Sequence, residues 1–160
     1  MSKVYIETSI ISYLTARPSS NLIAAAWQKE TIDWWDSEKP RFKLYISEVV
    51  IEEAGRGNLD AASRRLSALD GLEILKINKE IVALSKILIQ DGGIPKKALD
   101  DALHVAIASV HAVEFLLTWN CRHINNAEMK PKIRKIIEAY GFQSPEIATP
   151  IELMGRRDDD

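Results

Sequence analysis

The sequence predicts an α/β domain of three layers, a mostly parallel central sheet with helices on both faces, and two observations carry that expectation. Short runs rich in β-branched and aromatic residues alternate with longer runs of helical period from one end of the chain to the other. Turn and cap residues punctuate almost every junction, and strand–helix alternation of this kind is what right-handed crossovers on a parallel sheet require.

The first strand is expected over residues 3–7, Lys-Val-Tyr-Ile-Glu, with Ser9 capping a helical segment behind it. Pro18, Ser19 and Ser20 make a turn, and residues 22–35 read as a long amphipathic helix that ends near Pro40. Residues 42–46 form the second strand, and Ser47 is placed to cap a helix carrying Glu48, Glu52 and Glu53 that Gly55 and Gly57 bring to an end. Residues 59–69 are helical, 72–77 form the third strand, and Asn78 caps a helix that runs to Ile89 and stops at Gly92 and Gly93. Pro95 suits the first turn of a helix over 96–111. A fourth strand spans 114–118, Pro131 opens a helix ending near Gly141, and 147–149 form a last short strand before Pro150. Residues 1–155 are expected to make one domain, with 156–160 a frayed tail.

Composition narrows the class of protein. At 160 residues the chain can bury a core without disulfide or zinc staples, and 46% apolar with 28% charged residues is the balance of a globular protein, not a disordered one. No apolar run reaches the 18 or so residues of a membrane span, and no basic, apolar and small-residue leader precedes the first strand. With a single cysteine, Cys121, an internal disulfide is excluded and a reducing, cytoplasmic location is expected. The net charge of −2 does not veto a nucleic-acid substrate, because an acidic pocket and a basic rim cancel in the sum.

Sheets of this kind place their sites at the carboxyl ends of strands, which singles out Glu7. Glu52 and Glu53 follow the second strand, and since adjacent helical residues face about 100° apart only one of them turns toward Glu7. Asp100 and Asp101 repeat the situation in the helix over 96–111. Asp101 shares a face with Ala98, Val105 and Ala108 and is the inward candidate, while Asp100, on the face of His104 and His111, is expected in a solvated pair with His104. The loop after the fourth strand adds Asn120, Arg122 and His123. Carboxylates gathered without lysine or arginine repel one another, and a hard divalent cation relieves that repulsion. Oxygen ligands favour Mg²⁺ or Mn²⁺, and no Cys/His cluster has zinc spacing.

Thr8 and Ser9 are placed to orient Glu7 or meet phosphate. The scattered Arg17, Arg41, Arg56, Arg64 and Arg65 read as surface. His104 and His111 read as helix packing or surface, and Trp27, Trp34 and Trp35 as core or a dimer face.

The runs YIETSIISYL, ISEVVIEEAGRG, DDALHVAIA and LLTWNCRHI, in this order, resemble the PIN-domain family, and its VapC-type toxins in particular, over residues 3 to 154. The resemblance implies that Glu7, Glu53, Asp101 and Asn120 are the catalytic, metal-holding residues, with Glu52 as the substitute for Glu53. It implies a Mg²⁺- or Mn²⁺-dependent endoribonuclease that hydrolyses RNA with a metal-activated water. It also implies a toxin paired with a VapB-like antitoxin that blocks the site, and a homodimer. Two departures stand out: Glu7 where the family most often has Asp, which keeps the charge but moves the carboxylate outward by one methylene, and Asn120 with His123 where a further acid is common, which implies weaker metal binding or a preference for Mn²⁺. The alternative is a catalytically weak or inactive PIN-like module that binds RNA or protein. A response-regulator-like switch fits poorly, since it needs an Asp at the first strand end and a suitably placed Lys.

Overall fold

The computed structural model describes residues 1–155, so the tail expected over 156–160 lies outside the described residues. Its centre is a five-stranded sheet of β1 (Ser2–Ile6), β2 (Phe42–Ser47), β3 (Glu73–Leu75), β4 (Phe115–Leu117) and β5 (Glu146–Ala148). They lie in the order β3-β2-β1-β4-β5, and every pairing is parallel. β1 occupies the middle, where Val4, Tyr5 and Ile6 have no exposed surface, the unbroken burial a parallel strand covered on both faces demands. The chain walks outward from β1 to β3 and returns to β4 on the other side of β1. The strand order therefore reverses between β1 and β4, and it is beyond the carboxyl ends at such a reversal that sheets of this kind place their sites.

The helices α1 (Thr8–Thr15), α2 (Leu22–Ser37), α3 (Glu48–Ala54), α4 (Leu59–Ala68), α5 (Lys79–Gln90), α6 (Leu99–Val110) and α7 (Lys130–Ala139) flank the sheet. α1 packs with α2, α3 and α4, and α5 lies along α6 and α7. α6 is buried nearly all round, from Ala102 and His104 to Ser109, and its alanines allow close approach. Trp34 is wholly buried, which settles it as core, and the Trp119 ring stacks on Trp27 at 4.6 Å, tying the loop after β4 to α2.

Several caps follow the sequence and others do not. Asn21, Asn58 and Asn78 each accept a hydrogen bond from the backbone N–H three residues on, as N-cap side chains do. The cap of α1 is Glu7, not Ser9: Glu7 keeps extended angles one residue past β1, and its Oε2 accepts from the Ser9 N–H at 3.1 Å. Ser47 stands at the N-cap of α3, but its hydroxyl is bonded to the Tyr5 hydroxyl and not to the helix. Pro95 lies in a turn closed by the Ala98 N–H on the Pro95 carbonyl, and α6 begins only at Leu99, because Ala98 adopts a non-helical ψ of 47°.

Candidate active site

The ends of β1 and β4 are stitched together through Glu7. The Glu7 N–H donates to the Leu117 carbonyl at 3.1 Å, and its carboxylate, 5% exposed, turns toward Ser9 and Thr118. Both hydroxyls are oriented by the backbone. Ser9 Oγ accepts from the Trp119 N–H at 2.8 Å and Thr118 Oγ1 from the Asn120 N–H at 2.9 Å, so each is left to donate its hydrogen to Glu7 Oε1. With the Ser9 N–H on Oε2, three donors hold this carboxylate and none is cationic.

Glu53, from α3, lies beside Glu7. Its Oε1 accepts from the Thr8 hydroxyl at 2.7 Å and meets His104 Nε2 at 2.5 Å, whereas Glu52 turns outward to an exposed ion pair with Arg56 at 3.0 Å. The choice left open between adjacent glutamates is thus decided in placement. Burial pushes the Glu53 carboxyl up, but the His104 bond and charge, Thr8 and Arg56 outweigh it and hold the group below its ordinary value. Burial in turn pushes His104 down, and the Glu53 hydrogen bond with the charges of Glu7, Glu53 and Asp101 more than reverses it, leaving the imidazole above its ordinary value.

Asp101 supplies the third carboxylate. Its Oδ2 meets His123 Nδ1 at 3.0 Å, and both side chains are mostly buried. Asp100 points outward to Arg56 at 3.4 Å. The expected pair between Asp100 and His104 does not form: His104 has no exposed surface and lies between Tyr5 and Glu53, on the side of Asp101, three residues before it. His111 bonds the Lys76 carbonyl at 2.8 Å, away from the cluster.

Asn120 organises the loop. Its Oδ1 accepts from the His123 N–H at 3.0 Å and its carbonyl from Ile124 and Asn125, so it sets the turn that brings His123 to Asp101. Tyr5, Ser47, Thr118 and the inward role of His104 were missed in the sequence. One signal was available for His104, an ionisable residue three positions from Asp101 on a helix otherwise built of small and branched apolar residues.

Ligand atoms of Glu7, Glu53 and His104 lie within 4.8 Å of one another. A divalent cation fits the donors present. Among the described residues no protein donor is bonded to Glu53 Oε2 or Asp101 Oδ1, whereas His104 Nε2 is engaged with Glu53. Carboxylate oxygens with unused lone pairs are the ligands a hard cation takes.

A family model described as PIN domain matches residues 4–128. No curated protein matches the chain in sequence. Among solved structures, VapBC2 from Rickettsia felis bound to a DNA fragment from their promoter is similar with a TM-score of 0.60 and 15% identity, over 92% of this chain and 98% of that one. The Sarcin-Ricin loop cleaving toxin VapC20 of Mycobacterium tuberculosis is similar with a TM-score of 0.59 and 13% identity, over 87% and 95%. VapBC-1 from nontypeable Haemophilus influenzae gives 0.55 and 15% identity, over 93% and 98%. At these identities the likeness is one of fold. Among the described residues no helix is long and apolar enough to cross a membrane.

Proposed function

The chain belongs to the PIN-domain family, and from that premise we propose that it is a metal-dependent endoribonuclease, the toxin of a toxin–antitoxin pair, acting on RNA phosphodiester bonds as one domain over residues 1–155. The observation that carries this reading is that ligand atoms of Glu7, Glu53 and His104, from β1–α1, α3 and α6, lie within 4.8 Å of one another, with Asp101 on α6 close enough for its charge to act on His104.

Glu7, Glu53 and Asp101 would hold Mg²⁺ or Mn²⁺, with Asn120 completing the site through the loop that carries His123. A divalent ion held there supplies Lewis-acid charge for the phosphoryl group and lowers the pKa of water. The protein's own part is orientation. Ser9 and Thr118 fix Glu7, Thr8 and His104 fix Glu53, and His123 fixes Asp101. None of these partners is a lysine or arginine that would cancel the negative charge before the cation arrives.

Two of the structurally similar proteins are VapBC assemblies, which supports a VapB-like antitoxin as partner; a homodimer and a cytoplasmic location complete the reading. One observation favours the alternative, a catalytically weak module that binds RNA or protein: the Asn120 side-chain oxygen is already occupied by the His123 N–H.

Purified, antitoxin-free protein incubated with structured and unstructured RNA in Mg²⁺, Mn²⁺ or chelator, beside Asp101→Asn, decides between them. Metal-dependent cutting that falls by about 100-fold or more in the variant is the expected result, the loss of several kcal/mol of charge stabilisation. Full activity in Asp101→Asn, or RNA binding without cutting by folded wild type, would sink the nuclease assignment.

A further inference from the structure

Behind the carboxylates lies a buried polar chain that joins four elements. Ser47 Oγ of β2 meets the Tyr5 hydroxyl of β1 at 2.7 Å, the same hydroxyl meets His104 Nδ1 of α6 at 2.7 Å, and His104 Nε2 meets Glu53 Oε1 of α3. Tyr5, Ser47 and His104 have no exposed surface, and among the described residues no buried side-chain polar atom lacks a partner.

Hydrogens can be placed along this chain in two ways. With a neutral imidazole, Ser47 donates to Tyr5, Tyr5 to Nδ1, and the Nε2–H to Glu53. With an imidazolium, Nδ1–H donates to Tyr5 and Tyr5 to Ser47, while the Nε2–H again donates to Glu53. The bond to Glu53 is the one link common to both.

We propose that His104 is a positioning residue for Glu53, itself fixed by Tyr5, that holds one carboxylate oxygen from behind and so leaves the other to a divalent cation. Glu53 needs such a hold. Its side chain has three rotatable bonds, it stands on the short helix α3, and its other anchor is the single Thr8 hydroxyl. An imidazole clamped at both nitrogens is rigid by comparison, and partners of ligating carboxylates act by limiting the geometries those carboxylates sample. The same clamp argues against His104 as a ligand, since Nε2 would have to give up its proton and Glu53 together. The inference rests on the reading of Glu53 as a cation ligand.

Calorimetric titration of the full chain with Mn²⁺ tests it, comparing wild type with His104→Leu, His104→Gln, Tyr5→Phe and Glu53→Gln, each checked for folding by circular dichroism. His104→Leu is expected to weaken Mn²⁺ binding by about 10–100-fold, the range for lost partners of metal ligands. His104→Gln, which keeps an N–H at similar reach, should recover most of that loss. Tyr5→Phe, which leaves Glu53 and the ring in place, should weaken binding by a smaller factor, and it decides the matter if His104→Leu does not fold.

Mn²⁺ affinity unchanged in His104→Leu and Tyr5→Phe, with binding lost in Glu53→Gln, would overturn the positioning role and leave the metal-site reading standing. Lowered stability with unchanged affinity would overturn it equally. Wild type without saturable Mn²⁺ binding, or Glu53→Gln binding as wild type does, would overturn the site reading and the positioning role with it.

Discussion

At the amino end of the sheet, acidic residues meet their partners in water: Glu73 reaches Lys43 and Glu146 reaches Arg134, both at 3.7 Å, with all four side chains about half exposed. At the other end of the sheet, Glu7, Glu53 and Asp101 are mostly buried and are met by hydroxyls, a backbone N–H and imidazoles. The difference lies in what the partner does to the charge. A lysine or arginine in solvent pairs with a carboxylate that stays mobile, whereas buried hydroxyls and an imidazole hold it in one place, and the hydroxyls do so without adding charge. Exposed ion pairs of the first kind contribute little, and a clamped cluster is worth building only if something positive is to be bound.

The largest effect should separate two neighbours. Glu53→Gln is expected to reduce RNA cleavage by at least about 100-fold, and Glu52→Gln to leave it near wild type, because Glu52 is held only in a surface pair with Arg56. Equal losses in a steady-state cleavage assay would erase the distinction between the inward and outward glutamates. Next comes Thr118→Val. It removes a donor from buried Glu7 and the acceptor of the Asn120 N–H, and should cost about 1–3 kcal/mol in urea denaturation.

A smaller effect concerns pH in the metal-free protein. Glu53 is held below its ordinary value on folding, so its contribution is present above the usual carboxylate range and is lost as pH falls through the depressed value. His104, faced by Tyr5, Glu7, Glu53 and Asp101, is held above its ordinary value, so its contribution is full below about pH 6.5 and is lost as pH rises through the raised value. Stability should be greatest between those limits, and His104→Leu should lack the alkaline decline. The smallest effect belongs to the other end of the sheet, where Glu73→Gln should shift neither cleavage nor the urea midpoint measurably.

The strand–helix alternation and the position of Glu7 were legible in the sequence because period and punctuation are local properties. Asp101 was legible as the inward acid because its helical face is apolar. Glu53 against Glu52 was not, since the deciding contacts with Thr8 and Arg56 depend on the tertiary arrangement. His104 was misplaced because it lies four residues from Asp100 and three from Asp101, and a helical wheel cannot choose between those faces when α6 is buried nearly all round. Glu7 as a cap escaped notice because a glutamate is an unusual N-cap, and it fills the role here only because α1 starts at the very next residue.

The stitching of Glu7 to Thr118 also bears on when the cluster can come into being. Three of the cluster's bonds link residues 45, 51 and 111 positions apart, and these do not arise from local helix formation. Contacts of such long range form late, after loop-closure entropy has been overcome. A nascent chain that has not yet emerged past β4 holds Glu7 through Ser9 alone and lacks the Thr118 hydroxyl, and the site is therefore completed as a late event of synthesis.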